Sequence, residues 1–424
     1  MKNQNNRRNF IKKAAIGLFA APLVSDTSVF YPAKEEAKPD NPVLTDKILG
    51  AFLGIAIGEA MGAPVEGWDT QKIRNTIGPF NKWTEEFLPP THSDDFNLGK
   101  GNGRITDDTL MTEALMFSYI KSMSHLDAYG YEAYFLPQIS EVPVFVSEYG
   151  KELPIIKRLY FPDKYPWEKL TIHNTEPRST GIGNMVNCGL AIMTMPIGAV
   201  NAGSPVDAYL EAADFGLVHN ESYGIEAGAV MAACYAEAYK NSATIQSVID
   251  AALSVARDGT KSAIDACVKA SDTADNMDDA MKKIRRAWLP FSGIPSNLQE
   301  EFVNKSSINP AFNKGLYRPS RVGSIEELPV CLAMLKYGNY DFAKTISASV
   351  LYGNDNDCIA GMACGLLGAL KGSSIVPVKL RIHSEIVNKR DYSKTVNTFF
   401  QTIVEIMNKD LDRYKLREKT IFGM

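Results

Sequence analysis

One apolar stretch of this chain carries a glycine at every fourth position, namely at Gly50, Gly54, Gly58 and Gly62. In a helix, this spacing places all four residues on one face. Each glycine in a helix interior costs about 1 kcal/mol relative to alanine, so the stripe needs a compensating contact. We therefore predict a helix over 45–62 whose glycine face lies directly against another helix backbone or a ligand. Gly361 and Gly365 repeat the spacing and predict a second helix of this kind, at the centre of a bundle.

Helical periodicity runs through most of the chain. Apolar residues recur at three- and four-residue spacing, whereas alternating strand patterns are scarce. The predicted helices cover 45–62, 108–123, 205–217, 224–240, 244–257, 261–274, 325–338, 341–352 and 357–370. The expected fold class is therefore all-α, a compact helical bundle.

Two long stretches, 125–180 and 286–322, lack this periodicity. Both are rich in aromatic residues and proline, and aromatic content argues against disorder. We predict that they are loops inserted into the bundle. Long loops of this kind either line a substrate pocket or pack against the helices, and the sequence leaves both alternatives open.

The composition is that of a globular protein. The chain has 424 residues, of which 45% are hydrophobic and 22% charged, and it is long enough to bury a substantial core. The formal net charge is −4 and no long run of lysine and arginine occurs, so we expect no nucleic-acid partner. The six cysteines show no CxxC spacing and stand among small apolar residues. This pattern predicts buried small residues with unpaired thiols rather than a zinc site or a disulfide framework.

The N-terminus has the pattern of an export signal. Arg7 and Arg8 precede Phe10 and Lys12, and a short apolar run over 14–24 follows. This run is too short to span a bilayer as a stable helix, and the basic segment before it is typical of a signal peptide. The paired arginines resemble the twin-arginine signal. The alternative is a basic, unstructured tail.

The sequence thus predicts a twin-arginine-type signal peptide over 1–25, a spacer over 26–42 and a single domain over 43–424. The expected location is the periplasm or another extracytoplasmic space. No stable membrane insertion is expected after the signal has been cleaved.

Two acidic clusters stand where predicted helices begin. They consist of Thr106, Asp107 and Asp108, and of Asp355, Asn356 and Asp357. Oxygen ligands of this kind suit Mg²⁺, Mn²⁺ or Ca²⁺, so the two clusters together predict a divided site for hard cations. The alternative is that both are ordinary helix starts, with an N-cap side chain and carboxylates favoured by the helix dipole.

A third segment favours the metal site over this alternative. The glycine-rich helix ends with Gly58 and Glu59, and Glu66 follows shortly after Gly62. Together the three segments resemble the ADP-ribosylglycohydrolase family over most of 45–372. The family motif Gly-Asp-x-x-Gly-x-x-x-Glu corresponds to Gly58 through Glu66, and Thr-Asp-Asp-Thr is intact at 106–109. The third motif, Gly-Asp-x-Asp-Thr, corresponds to 354–358.

The resemblance implies an all-helical domain with two Mg²⁺ ions, or Mn²⁺, at its centre. The metal ligands that it implies are Thr106, Asp107, Asp108, Asp355 and Asp357. The implied catalytic residues are Glu66, Asp107 and Asp357, of which Glu66 would orient or deprotonate a water molecule. The substrate-binding residues expected at the same site are Glu59, His219 and Asn356. The bond cleaved would be an N- or O-glycosidic bond.

The chain departs from the family pattern at several positions. Glu59 replaces the usual aspartate, and Cys358 replaces the usual threonine with a soft sulfur beside a hard-cation site. Cys188 and Met193 stand where asparagine and arginine are common. We interpret Cys358 as a packed small residue rather than a nucleophile. The alternative to a substrate-binding role for His219 is a helix-end or core histidine.

The expected activity is that of a metal-dependent glycohydrolase acting on a small-molecule or protein-linked glycoside. Export would favour a carbohydrate or nucleoside glycoside over an ADP-ribosylated cellular protein. The alternative from another class is an inactive protein that binds ADP-ribose or a sugar and has lost catalysis through Glu59 and Cys358.

Overall fold

The computed structural model describes residues 43–78, 85–91, 99–294, 296–305 and 322–423. Within these ranges the protein is helical, and the only sheet that they contain is one antiparallel pair of short strands. The prediction of an all-α fold is therefore confirmed. The predicted signal peptide and spacer lie outside the described residues.

The helices of eight or more residues are numbered here in chain order. They are α1 (Leu44–Gly62), α2 (Thr70–Ile77), α3 (Asp107–Ser122), α4 (Phe161–Thr171), α5 (Pro205–His219), α6 (Tyr223–Ala238), α7 (Ile245–Val255), α8 (Asp258–Asp272), α9 (Met277–Trp288), α10 (Ser296–Lys305), α11 (Val322–Gly338), α12 (Phe342–Tyr352), α13 (Asn356–Lys371), α14 (Val378–Asn388) and α15 (Tyr392–Phe422). Each predicted helix is present, with ends shifted by at most three residues. The strands are β1 (Pro143–Val146) and β2 (Lys151–Pro154), paired from Pro143 with Pro154 to Val146 with Lys151.

Helices α1 and α13 pack antiparallel, with backbone against backbone. A Cβ atom added at Gly50 would lie 2.5 Å from the carbonyl oxygen of Gly368, and one added at Gly54 would overlap the Cys364 carbonyl. The predicted close approach of a second helix is therefore confirmed. The contact buries the apolar residues on both sides of the stripe, including Phe52 and Ile55.

This packing fixes the register at the end of the helix pair. A Cβ atom at Gly62, the last residue of α1, would lie 2.6 Å from the Cα atom of Asp357 in the first turn of α13. The C-terminal end of α1 therefore meets the N-terminal end of α13. As a result, the motif from Gly58 to Glu66 and the motif at 354–358 lie at one junction.

The prediction of an inserted loop over 125–180 was wrong in part. This stretch contains a continuous helical segment from Ala128–Gly130 through a π-helical turn at Tyr131–Phe135 to Leu136–Ser140, then the hairpin and α4. The prolines of this stretch were interpreted as signs of a loop. Pro162, however, stands in the first turn of α4, where a backbone N–H is not needed for the helix. The rings of Tyr131 and Phe135 pack on Phe215 of α5, with centroids 4.8 and 5.6 Å apart.

The second predicted loop, 286–322, is also partly helical. Helix α9 continues to Trp288 and α10 follows it, whereas residues 306–321 lie outside the described ranges. Trp288 is fully buried, and its indole N–H donates to the Tyr352 hydroxyl at 2.8 Å. Its role is therefore packing.

The segment Leu44–Val65 is long and apolar enough to cross a membrane by composition, but 94% of its apolar window is buried inside the protein. It is thus accounted for as the central core helix. The C-terminal helices α14 and α15 were not predicted, and the first half of α15 packs Phe399 and Ile403 into the core.

Short helical segments complete the chain between these elements. They are Ala63–Val65, Ile155–Lys157, Pro177–Ser179, Gly189–Met193, Met195–Val200, Leu289–Phe291 and Ser373–Ile375. The segment at Gly189 follows directly on Cys188 and brings that residue to the start of α13.

Candidate active site

The first acidic cluster is held in place by Glu59 of α1. Thr106 occupies the N-cap position of α3, but its side chain makes no capping hydrogen bond. Instead, the Glu59 carboxylate accepts hydrogen bonds from the backbone N–H groups of Thr106 and Thr109, both at 3.0 Å. The Thr106 hydroxyl also donates to Glu59, at 3.0 Å. Glu59 therefore caps α3 from another helix and leaves the side chains of Asp107 and Asp108 free for other contacts.

The second cluster also lacks ordinary capping. Asp355 occupies the N-cap position of α13, but its carboxylate makes no capping hydrogen bond to the backbone of that helix. One of its oxygens accepts from the Cys188 thiol at 3.0 Å. If the two clusters were only ordinary helix starts, the side chains of Thr106 and Asp355 would cap α3 and α13. Neither side chain makes a capping hydrogen bond.

Backbone hydrogen bonds bring the Glu66 segment to this second cluster. The N–H of Gly67 donates to the carbonyl of Asn354 at 2.8 Å, and the N–H of Asn354 donates to the carbonyl of Trp68 at 3.1 Å. As a result, one carboxylate oxygen from each of Glu66, Asp355 and Asp357 lies within 4.8 Å of the others. Residues from two of the predicted motifs thus form one group.

Lys100 pairs with Glu66. It stands between two glycines in the left-handed region, and a Cβ atom at Gly101 would lie 2.6 Å from the Pro90 nitrogen, so this turn excludes a side chain. The Lys100 side chain is 7% exposed and that of Glu66 is 34% exposed. Glu66 therefore lies at the solvent-accessible edge of the carboxylate group.

Arg158 pairs with Asp107. Its guanidinium is fully buried and lies 2.5 Å from an oxygen of Asp107 and 2.5 Å from an oxygen of Glu148. Glu148 lies in the turn between β1 and β2, and Arg158 follows the short helix Ile155–Lys157 after β2, so the hairpin supplies the carboxylate that holds the Arg158 guanidinium beside Asp107. The negative charge of Asp107, which was predicted to be both a metal ligand and a catalytic residue, is thus partly neutralised by the Arg158 guanidinium.

The remaining carboxylates repel one another in a buried environment. Burial, reinforced by Asp357, raises the pKa of Glu66 to about 7, although Lys100 opposes the shift. Burial likewise raises the pKa of Asp357 to about 7 and that of Glu59 to about 8. The pKa of Asp108 is raised well above its usual value by burial and by Glu59. Among the described residues, only Lys100 and Arg158 form ion pairs with the carboxylates of the two clusters and Glu66.

Several buried carboxylate oxygens have no hydrogen-bond partner among the residues that the structure describes. They are Oδ2 of Asp108, Oδ1 of Asp357 and Oε2 of Glu327. Buried polar atoms are normally satisfied, and buried charges are normally paired or bound to a metal. Unpartnered anionic oxygens beside an excess of negative charge fit a site for divalent cations.

Two cysteines face the same site. Cys188 donates to Asp355 as described, and the Cys358 thiol lies 3.6 Å from Oδ1 of Asp108. The predicted absence of disulfides is confirmed, since all six cysteines are buried and free. Cys358 is therefore buried as expected, but it contacts a predicted metal ligand rather than apolar packing alone.

The structure places the predicted substrate-binding residues away from the open edge. The side chain of Glu59 is fully buried among protein donors. The Asn356 carboxamide donates to the carbonyl of Val350 at 2.8 Å. His219 is fully buried, with its ring nitrogens 3.2 Å from the Tyr131 hydroxyl and 3.2 Å from Asp163. These contacts belong to the support of the site, so a direct substrate contact by any of the three stays a prediction.

Sequence reasoning missed four charged residues at the site. They are Lys100, Glu148, Arg158 and Glu327. Glu327 is buried, and Asp355 helps to raise its pKa well above the usual value. Two signals were available in the sequence. Lys100 stands between two glycines, and Glu148 and Arg158 lie within an aromatic-rich stretch. Only the tertiary contacts identify their partners.

The fold and site define an all-α protein with buried carboxylates from three helix ends at one junction. The model of the ADP-ribosylglycohydrolase family matches residues 40–402. The chain therefore belongs to the ADP-ribosylglycohydrolase family.

Known proteins of similar sequence and structure agree with this assignment. The chain is 22% identical to "Uncharacterized protein YegU" of Escherichia coli (strain K12) over 355 residues, which are 82% of this chain and 95% of that protein. It is also similar to a solved structure described as "ADP-ribosylglycohydrolase-related protein complex", with a TM-score of 0.54 and 16% identity over 85% of this chain and 99% of the other. This structural likeness supports the fold.

Proposed function

We propose that this protein is a divalent-metal-dependent glycohydrolase that cleaves an N- or O-glycosidic bond. The observation that carries the proposal is the group of carboxylates from Glu66, Asp355 and Asp357, together with the buried, unpartnered oxygens of Asp108 and Asp357. Family membership supports a glycosyl hydrolase. The burial of unpartnered anionic oxygens supports a requirement for cations.

Asp108, Asp355 and Asp357, together with Thr106, would hold two divalent ions, Mg²⁺ or Mn²⁺. When bound, such ions polarise substrate oxygens and lower the pKa of a coordinated water. Arg158 holds Asp107 at the edge of this group, and Glu59 fixes the backbone that presents Asp108. These protein contacts orient the ligands before substrate arrives.

Glu66 is the residue best placed to handle the proton of the attacking water. Its side chain is 34% exposed, whereas Asp357 is buried, and in the metal-free protein burial and Asp357 raise its pKa to about 7. A carboxylate that titrates near neutral pH can both accept and return a proton. Lys100 opposes this rise in the pKa. The carboxylates would also stabilise the positive charge that develops at the anomeric carbon.

Tyr160 is a candidate for substrate contact. Its half-buried ring lies 5.1 Å from the Arg158 guanidinium and 5.9 Å from the Lys100 ammonium. It therefore borders the ion pairs of the site, unlike Tyr131 and Phe135, which pack in the core. An aromatic face at this position suits stacking with a sugar or a base.

The export signal proposed for residues 1–25 would place the enzyme outside the cytoplasm. A carbohydrate or nucleoside glycoside is then a substrate class to be tested beside ADP-ribosyl compounds. Cleavage of the signal would leave the family-matched region, which begins at residue 40, intact.

The test is hydrolysis of ADP-ribosyl-arginine, ADP-ribosyl-serine, nucleosides and aryl glycosides, each with Mg²⁺ and with EDTA. The matched variants are Asp357→Asn at the site and Asp265→Asn, whose carboxylate forms an exposed pair with Lys269 on α8. We expect turnover of at least one substrate class that EDTA and Asp357→Asn abolish and Asp265→Asn retains. Turnover that survives both EDTA and Asp357→Asn would contradict the proposal. Metal binding without any turnover would instead identify a binding protein.

A further inference from the structure

The two cysteines at the site divide its ligands into a sulfur side and an oxygen side. Cys188, Asp355 and Cys358 each offer an atom within 4.8 Å of the others, and so do Glu66, Asp355 and Asp357. Asp355 belongs to both groups. One carboxylate therefore lies between a group with two thiols and a group made only of carboxylates.

We infer that the sulfur side is a binding position for a zinc-class cation, held by Cys188, Cys358 and Asp355, next to a position for a magnesium-class cation. A zinc-class ion thus takes one of the two cation positions proposed above, although the cysteine spacing alone predicts no zinc site. The inference concerns which ion the protein binds and does not depend on its catalytic use. Both cysteines are buried and Asp355 is partly exposed. Asp108, which is 1% exposed, borders this group at Cys358.

The spacing of the donor atoms suits a four-coordinate ion. Zn–S bonds of about 2.3 Å and Zn–O bonds of about 2.0 Å in a tetrahedron separate sulfur from oxygen by about 3.5 Å. The thiol of Cys188 lies 3.0 Å from Oδ2 of Asp355, and the ligand atoms of Cys188, Asp355 and Cys358 all lie within 4.8 Å of one another. These three donors are close enough together to surround one ion, with the fourth position of the tetrahedron left for a water molecule.

The donor chemistry discriminates between ions. Thiolate sulfur favours zinc and similar borderline cations, whereas Mg²⁺ prefers oxygen ligands and keeps bound waters. On binding, the two S–H bonds break, two metal–sulfur bonds form, and both protons pass to solvent. No change in oxidation state is involved. Cys358 supplies a sulfur atom where the family motif has the oxygen of a threonine. This replacement thus changes which cation the site prefers and does not only weaken its affinity for Mg²⁺.

The test uses the purified full chain, stripped of metal and titrated with Co²⁺ in the presence of excess Mg²⁺. Thiolate ligation gives an intense near-ultraviolet charge-transfer absorbance that oxygen ligation does not give. We expect this absorbance to saturate at one Co²⁺ per chain and to be removed by Zn²⁺. Cys358→Ala and Cys188→Ala should each lose most of it. Their Zn²⁺ affinity should fall about 100-fold or more, since even outer-shell changes cost up to about that amount.

Cys364→Ala is the matched control, because Cys364 is a buried cysteine on the same helix α13 outside the group. It should keep the absorbance and the Zn²⁺ affinity. Co²⁺ binding by the wild-type protein without the absorbance would overturn the inference, whatever the stability of the variants. Undiminished absorbance in both site variants would overturn it as well.

The outcome is separable from the proposed activity. Cobalt–thiolate absorbance without hydrolysis of any glycoside would uphold this inference and count against the glycohydrolase. Magnesium-dependent hydrolysis without the cobalt–thiolate absorbance would support the glycohydrolase and overturn this inference.

Discussion

The carboxylate of Glu59 accepts hydrogen bonds from both the backbone N–H and the hydroxyl of Thr106, each at 3.0 Å. The bond to the Thr109 N–H completes a cap for α3 that is supplied by α1. The glutamate that replaces the usual aspartate of the family motif therefore uses its extra methylene to reach the start of another helix. This contact links the glycine-packed helix pair to the Thr-Asp-Asp segment.

Replacing Glu59 by alanine should destabilise the protein. Two buried backbone N–H groups and one hydroxyl would lose their acceptor, and unsatisfied buried groups typically cost about 1–3 kcal/mol each. Part of this is offset because the buried carboxylate no longer has to be desolvated. We expect Glu59→Ala to lower the free energy of unfolding by about 2–3 kcal/mol in denaturant titration.

Glu385→Ala is the control for this variant, since Glu385 forms a partly exposed i,i+4 pair with Arg381. Such pairs contribute about 0.5 kcal/mol or less. Equal stability of the two variants would show that the Glu59 cap contributes nothing.

Lys100→Gln should shift the pH dependence of activity. Lys100 opposes the rise in the pKa of Glu66, so its removal raises that pKa further. If Glu66 acts as the base, the acidic limb of the kcat profile moves to higher pH. Lys379→Gln, at an exposed lysine, is the control. An unchanged acidic limb in Lys100→Gln would count against Glu66 as the base.

Divalent metal should stabilise the protein more at high pH than at low pH. In the metal-free fold the pKa values of Glu59, Glu66 and Asp357 rise to about 7–8. The folded state then binds more protons than the unfolded chain from about pH 4 to pH 8, so stability falls as pH rises through this window. A bound cation removes the repulsion between ionised carboxylates.

The measurement is the melting temperature at about pH 5.5 and about pH 8, with EDTA or with Mg²⁺. The EDTA sample should melt lower at the higher pH, and the Mg²⁺-induced increase should be larger there. A Mg²⁺ effect of equal size at both pH values would show that these carboxylates are not the binding groups.

Gly54→Ala should be strongly destabilising, since the new methyl group would overlap the backbone of Cys364. Overpacking of this kind costs about 1–3 kcal/mol or more. Gly361→Ala, in the same helix pair, is the matched control for stability, because the nearest atom to its Cβ is a side-chain atom, Oδ2 of Asp108 at 3.3 Å, rather than backbone, and alanine favours the helix. The melting temperatures of the two variants are compared. A lower value for Gly54→Ala alone shows that the close backbone contact, and not any alanine in this helix pair, causes the loss of stability. Equal melting temperatures would argue against the close α1–α13 contact.

Much of the fold is predictable from local pattern. The glycine stripe of α1 and the apolar spacing of α6 or α13 are properties of single segments, and each segment forms the predicted helix. Helix α4 was missed because Pro162 and Pro166 were taken as loop signals, although one starts the helix and the other is accommodated within it. Helix α15 carries the same periodic signal, with Val396, Phe399 and Ile403 buried.

The site was predictable only where its residues come in local runs. The residues of each acidic cluster are adjacent in sequence, so each cluster is visible as a motif. Lys100 pairs with a residue 34 positions away, and Arg158 pairs with Asp107 across the hairpin. No local pattern specifies such partners, because they are set by how the helices pack. The cap by Glu59 was hidden for the same reason.

The most direct test of the metal site is anomalous diffraction from crystals of the protein soaked in Mn²⁺. We predict anomalous difference density at the junction of α1, α3 and α13, within bonding distance of Asp355, Asp357 and Oδ2 of Asp108, and its loss in Asp357→Asn. Mn²⁺ bound only at other positions, with this junction empty at a saturating concentration, would show that these carboxylates do not form the metal site.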